Sequence, residues 1–161
     1  MAYRPTRRLT PQEVLESHFD GPEDGVFTDG SCEPNPGPGG WGWVWVERGE
    51  IKAEGHGREA NTTNNRMELR ALIEAFEALP ADRDLVVYSD SQLCVNTINE
   101  WAPGWARRGW TRKGGPIKNL ELVKRLFALK HAKPRLELRW IRAHDGLRWN
   151  EYADALAALG S

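Results

Sequence analysis

The sequence predicts an α/β fold built on one mixed five-stranded sheet, three antiparallel strands then parallel strands, with helices on both faces. Three observations lead there. From Val26 three strand-like segments follow one another with only turns between them. After Asn64 the apolar spacing changes to that of a helix. Beyond Pro80 two short apolar strands, 85–89 and 136–141, alternate with helical segments.

The elements can be justified in chain order. Residues 1–24 are expected to form a lightly packed N-terminal extension and linker, and residues 25–161 a single folded domain. Within the extension Thr10 is placed as an N-cap, Pro11 at the first helical position and Glu13 for a capping box. Gly21-Pro22-Glu23-Asp24-Gly25 reads as the linker. Val26 to Thr28 is a strand, and Glu33 to Gly40, rich in Pro and Gly, is expected to turn rather than continue a ladder. Trp41 to Val46 alternates, with Trp41, Trp43 and Trp45 on one face and Gly42, Val44 and Val46 on the other. Ile51 to Gly57 returns after a turn. Leu69, Leu72, Ile73, Phe76 and Leu79 define a helix over 64–79, closed by Pro80. A helix from Ser91 to about Glu100, a Gly/Trp/Arg segment to Ile117, a helix over 120–130, a loop over 142–148 and a final helix over 149–159 complete the chain.

Composition narrows the function classes. The 161 residues are 40% apolar and 28% charged, an ordinary globular composition, and the formal net charge is −1. Attraction to a polyanion must therefore come from local patches. No apolar stretch approaches the ~20 residues needed to span a bilayer, and the basic N-terminus lacks the apolar region of a secretory signal. The two cysteines, Cys32 and Cys94, are too few for a disulfide scaffold and lack zinc spacing. A cytoplasmic, membrane-free protein is the expectation.

Four carboxylates draw attention because hard divalent cations take oxygen ligands. Placed at about 100° per residue, Glu68 falls alone on one flank of the apolar helix stripe, while Arg66, Arg70, Glu74 and Glu77 share the other. A solubilising acid does not belong there. Asp29 stands at a strand end beside glycine, and reads equally as a turn-starting residue. Asp90 closes an apolar strand, where it also suits a helix cap. Asp154 projects away from Trp149, Ala153 and Leu156, as an ordinary exposed acid does. Residues 101–120 add a basic patch of Arg107, Arg108, Arg112, Lys113 and Lys118 without any acid, interleaved with Trp101, Trp105 and Trp110. Such a patch suits a phosphate backbone read without regard to sequence.

Five motifs in order carry a resemblance. They are Thr28-Asp29-Gly30-Ser31-Cys32 with Asn35-Pro36-Gly37-Pro38-Gly39-Gly40; Thr62-Thr63-Asn64-Asn65-Arg66-Met67-Glu68-Leu69; and Ser89-Asp90-Ser91-Gln92. Trp101, Trp105 and Arg107-Arg108-Gly109-Trp110 with Pro116-Ile117-Lys118-Asn119 come next, then His144 with Asn150-Glu151 and Asp154. From about Val26 to Leu159 the chain resembles type 1 ribonuclease H, the endonucleases that cut the RNA strand of RNA–DNA hybrids.

That resemblance implies a ribonuclease H-like fold and a hydrolase acting by two-metal-ion catalysis, with 5′-phosphate and 3′-hydroxyl products. Asp29, Glu68, Asp90 and Asp154 would be the metal-binding catalytic carboxylates, for two Mg²⁺ with Mn²⁺ able to substitute. His144 would assist proton handling or product departure. Cys32, Asn35, Thr63, Asn64, Asn65 and Gln92 would contact the hybrid's minor groove or a DNA phosphate. Trp101, Trp105, Arg107, Arg108, Trp110, Arg112, Lys113 and Lys118 would form a basic protrusion. The expected partner is an RNA–DNA hybrid, with no obligatory protein partner and a monomeric chain. Some positions depart from the family pattern: Ala143 precedes His144 where glycine is common, and Leu147-Arg148-Trp149 replaces a His-Pro-Glu-like stretch. DNA-cutting integrases and resolvases share the fold and acidic site, and a non-catalytic nucleic-acid-binding module is a third class. The Asn64-Asn65-Arg66-Met67-Glu68 and Trp/Arg-rich segments favour hybrid cleavage.

Overall fold

The computed structural model of the chain describes residues 9–142 and 146–159. Five strands form one sheet: β1 (Gly25–Cys32), β2 (Gly37–Glu47), β3 (Glu50–Thr62), β4 (Leu85–Ser89) and β5 (Leu136–Trp140), in the spatial order β3-β2-β1-β4-β5. The first three pair antiparallel, whereas β4 is parallel to β1 and β5 parallel to β4. Helices α1 (Pro11–Ser17), α2 (Asn64–Ala78), α3 (Gln92–Asn96), α4 (Ala102–Arg107), α5 (Leu120–Ala132) and α6 (Arg148–Ala157) surround it. This is the mixed sheet that the sequence predicts. Among the described residues no helix is long and apolar enough to cross a membrane.

Alternation along β2 divides the core in two. Trp43 packs with Leu69, Leu72, Phe76 and Leu126 on one face, where Trp41 and Trp45 lie half-buried. Val44 and Val46 point the other way, onto Trp149, Tyr152, Ala153 and Leu156 of α6 and Val14 of α1. The capping box at α1 forms as expected: Glu13 N–H donates to Thr10 Oγ1 at 3.1 Å and Thr10 N–H to Glu13 Oε1 at 2.8 Å. Yet α1 is no loose appendage, because Val14 is only 1% exposed in the cluster it shares with α6.

Two further expectations change. Gly37 to Gly40 belong to β2 rather than to a turn, which shrinks to the residues between Cys32 and Gly37. Pro38 is accommodated at a register shift between Gly37 and Gly39, where its missing donor disturbs no ladder. The helical run after Ser91 does not stop near Glu100; it passes through a π turn over 97–101 and continues as α4, with Pro103 tolerated in the first turn.

Candidate active site

Glycine brings Asp29 and Glu68 together. Strand β1 crosses the first turns of α2 so closely that a Cβ on Gly30 would lie 2.2 Å from the Met67 carbonyl carbon and 2.4 Å from the Glu68 nitrogen. Only a residue without a side chain permits that approach. In return Gly30 N–H donates to Glu68 Oε1 at 2.7 Å, fixing the carboxylate beside its neighbour Asp29. Asp29 is therefore inside β1, opposite Gly42, and not at a strand end. Parallel pairing supplies the third acid: Thr28 is in register with Ser89, so the next residues along each strand, Asp29 and Asp90, emerge side by side. One carboxylate oxygen from each of Asp29, Glu68 and Asp90 lies within 4.8 Å of the others.

The fourth acid arrives from the opposite face. A Cβ on Gly40 would meet the Ala157 carbonyl oxygen at 2.0 Å, and one on Gly42 would meet Leu156 Cβ at 2.6 Å. Glycines on β2 and small residues on α6 thus let the helix lie directly on the sheet. Asp154 then comes to lie beside the Asp29 carboxyl, close enough to raise its pKa.

Burial holds the Asp29 carboxyl well above the ordinary range, reinforced by the charges of Glu68 and Asp90 and by Asp154. Glu68 is also raised, first by burial and then by Asp90, with the Gly30 N–H opposing the shift. Among the described residues no base forms an ion pair with Asp29, Glu68 or Asp90. Half-buried carboxylates that repel one another and lack a counter-charge fit hard divalent cations, which this donor set would neutralise and ligate through oxygen. His144 lies outside the described residues.

The remaining sequence-predicted residues divide into two groups. The first is a braced turn beside the acids. Cys32 N–H donates to Asn64 Oδ1 at 2.7 Å, and Asn64 N–H to Asn35 Oδ1 at 3.1 Å. The buried Cys32 thiol points at the carbonyls of Pro34, Gly37 and Thr62, so it organises the turn from inside. Thr63 caps α2 by accepting from Arg66 N–H, and Asn65 Oδ1 accepts from the Cys94 thiol. Burial pushes that thiol up to about 12, which keeps it protonated as a donor. Gln92 is exposed at the start of α3.

The second group surrounds a groove of about 480 Å³ whose lining includes Asn65, Trp101, Trp105, Arg108, Arg112 and Lys113. Lys118 also lines it. None of Arg107, Arg108, Arg112, Lys113 and Lys118 enters an ion pair among the described residues. Arg107 is exposed at the end of α4, outside that lining. Trp110 stacks edge-on against Phe127, with centroids 5.3 Å apart, and belongs to the packing of α5. Leu93 and Thr97, which belong to none of the sequence motifs, complete one wall. Leu93, Thr97, Trp101 and Trp105 recur every fourth residue, a signal visible once the helix is known to continue.

Residues 23–161 match the family model for RNase H. A ribonuclease H of Herminiimonas arsenicoxydans is 48% identical over 136 residues, covering 84% of this chain and 92% of that protein. One from Xanthomonas campestris pv. campestris (strain 8004) is 49% identical over 133 residues, covering 82% and 87%. Among solved structures, LC9-RNase H1, a type 1 RNase H with the type 2 active-site motif, superposes with a TM-score of 0.67 at 36% identity, covering 86% of this chain and 72% of that one. LC11-RNase H1 in complex with RNA/DNA hybrid gives 0.61 at 28% identity, covering 82% and 91%.

Proposed function

This chain belongs to the RNase H family and is a nuclease, and from that premise we propose that it hydrolyses the RNA strand of RNA–DNA hybrids. The observation that carries the reading is the convergence of Asp29, Glu68 and Asp90 within 4.8 Å, with Asp154 on the Asp29 carboxyl. The hybrid held by a structural neighbour supports the choice of substrate.

Asp29, Glu68, Asp90 and Asp154 would hold the cations, and Gly30 N–H keeps the Glu68 carboxylate turned inward. Two Mg²⁺ bound there, or Mn²⁺ in their place, would supply Lewis-acid activation of water and charge stabilisation at the departing 3′-oxygen, the chemistry that yields 5′-phosphate and 3′-hydroxyl ends. The Cys32–Asn64–Asn35 hydrogen bonds stiffen the loop that meets the minor groove, where 2′-hydroxyls distinguish RNA from DNA. Asn65 and Gln92 face the same duplex. The groove beside them, walled by Trp101, Trp105, Arg108, Arg112 and Lys113, takes the phosphate backbone. His144 assists proton handling. Residues 25–161 form the catalytic domain and 1–24 an extension to it. All four carboxylates come from one chain, which suits a monomer without an obligatory protein partner.

The test is cleavage of end-labelled 20-base-pair duplexes. The RNA strand of RNA–DNA hybrid should be cut with Mg²⁺ and not with chelator, while duplex DNA and duplex RNA stay intact. Cutting of duplex DNA at a comparable rate would place the chain with the DNA-cutting enzymes that share this fold.

A further inference from the structure

Two departures from the family pattern lie at opposite ends of the chain and meet in space. One is the segment before residue 23, where the family match begins. The other is Leu147-Arg148-Trp149 at the start of α6. Helix α6 has no side-chain N-cap: Leu147 occupies that position and makes no capping bond. The N-terminal segment takes over. Asp20 pairs with Leu147 in a parallel bridge, and Arg148 N–H donates to the Asp20 carbonyl at 2.8 Å, satisfying one of the first orphan donors of the helix.

The Arg148 side chain locks the same junction. Its guanidinium sits 5.3 Å from the Phe19 ring and 5.2 Å from the Trp149 ring, and Nη1 donates to the His18 carbonyl at 3.2 Å. Further along, Val14 is buried against Trp149, Tyr152 and Ala153. The other end is tied to the β2–β3 turn, where Gly49 N–H donates to the Glu23 carbonyl and Arg48 N–H to Asp24 Oδ1. The segment is thus a strap running from the β2–β3 turn across the start of α6. Asp154 follows Arg148 by six residues, about 9 Å along the helix.

We propose that this strap, with Arg148 as its principal positioning residue, sets the placement of α6 and hence of the Asp154 carboxylate beside Asp29. The proposal rests on the reading of Asp154 as a cation ligand. Phe19 is 70% exposed and contributes little to the core, so its contact with Arg148 can be removed without hollowing the fold. Arg148→Ala and the double variant Phe19→Ala/Arg148→Ala should raise the Mg²⁺ concentration for half-maximal single-turnover hybrid cleavage. The expected increase is about tenfold, the usual consequence of removing a group that orients a ligand. At saturating Mg²⁺ the cleavage rate should return close to that of the parent. Arg148→Lys, which keeps a cation over the rings, should recover part of the affinity.

Circular dichroism in the same buffer confirms the folded state at the assay temperature, and direct calorimetric titration of Mg²⁺ into each variant without substrate gives a second reading. Half-saturation and calorimetric affinity unchanged in both Ala variants would overturn the strap's role. A loss of rate that Mg²⁺ does not restore, in a folded variant, would overturn it as well. A parent that fails to cleave hybrid while its Mg²⁺ titration responds to Arg148→Ala would sink the substrate reading and leave the strap standing.

Discussion

Gly30→Ala tests the geometry on which the acidic site depends. The added Cβ would stand 2.2 Å from the Met67 carbonyl carbon, 2.4 Å from the Glu68 nitrogen and 2.5 Å from the Met67 carbonyl oxygen. These atoms are main chain inside a helix and cannot swing aside as a flexible side chain does. Relief to ordinary contact near 3.4 Å requires α2 and β1 to separate by roughly 1 Å. Helix α2 buries Met67, Leu69, Leu72, Ile73 and Phe76 against the sheet, so that separation loosens a close-packed core. Overpacking of this kind costs about 3 kcal/mol. For a chain of this size that corresponds to a fall in Tm of roughly 6–12 °C. The same shift breaks the 2.7 Å bond from Gly30 N–H to Glu68 and draws the carboxylate away from Asp29. A displacement of about 1 Å at a reacting centre costs on the order of a hundredfold in rate. Thermal unfolding and single-turnover hybrid cleavage measure the two effects separately. A Gly30→Ala protein with the parent's Tm and rate would refute the close approach of β1 and α2.

Other consequences follow from the same structure. Lys133 Nζ donates to the carbonyls of Phe76, Glu77 and Leu79 at 2.6, 3.1 and 2.7 Å, placing a cation on the C-terminus of α2. Lys133→Met should lower stability by about 2 kcal/mol in urea unfolding, with cleavage at low temperature unchanged. Asp29 and Glu68 have raised values in the folded chain, so it retains protons that the unfolded chain releases above roughly pH 4. Stability of the cation-free protein should therefore fall as pH rises from there through the raised values. Mg²⁺ binds the deprotonated acids, so its gain in Tm should be greater near pH 8 than near pH 5; an equal gain would contradict the coupling. Neutralising Arg107, Arg108, Arg112 and Lys113 together should weaken hybrid binding and flatten its salt slope by roughly one unit for each phosphate that the variant leaves unneutralised. Single-turnover cleavage at saturating hybrid should stay near that of the parent, and an unchanged slope would make these groups a solvated surface only.

Much of the fold is legible in the sequence because its periodicities are clean. The Trp/Val alternation of β2 assigns two core faces, and the Leu69–Leu79 stripe assigns α2. Glu68 stands out for the same reason, since one acid on the wrong flank of an apolar stripe has a geometric signature. Asp154 has none. Its position depends on Gly40 and Gly42 of β2 admitting α6, a contact between residues more than a hundred positions apart. The Gly-rich start of β2 mimics a turn for a related reason: glycine signals both bends and close approaches, and only the neighbouring chain decides between them. The strap escapes the sequence because its central bonds, Asp20 with Leu147 and Arg148, are main-chain contacts that leave no pattern in residue type.

The central claim is that Asp29, Glu68, Asp90 and Asp154 form one cation-dependent centre for hybrid cleavage. Asp29→Asn tests it most directly, because the change preserves shape and removes one charge from the middle of the cluster. Single-turnover cleavage of a labelled RNA–DNA hybrid should be measured across a Mg²⁺ titration for parent and variant, with Tm recorded without cation. Cleavage should be abolished at every Mg²⁺ concentration, while Tm in the absence of cation rises or holds as mutual repulsion falls. An Asp29→Asn protein that cleaves hybrid with near-parental Mg²⁺ dependence would contradict the account.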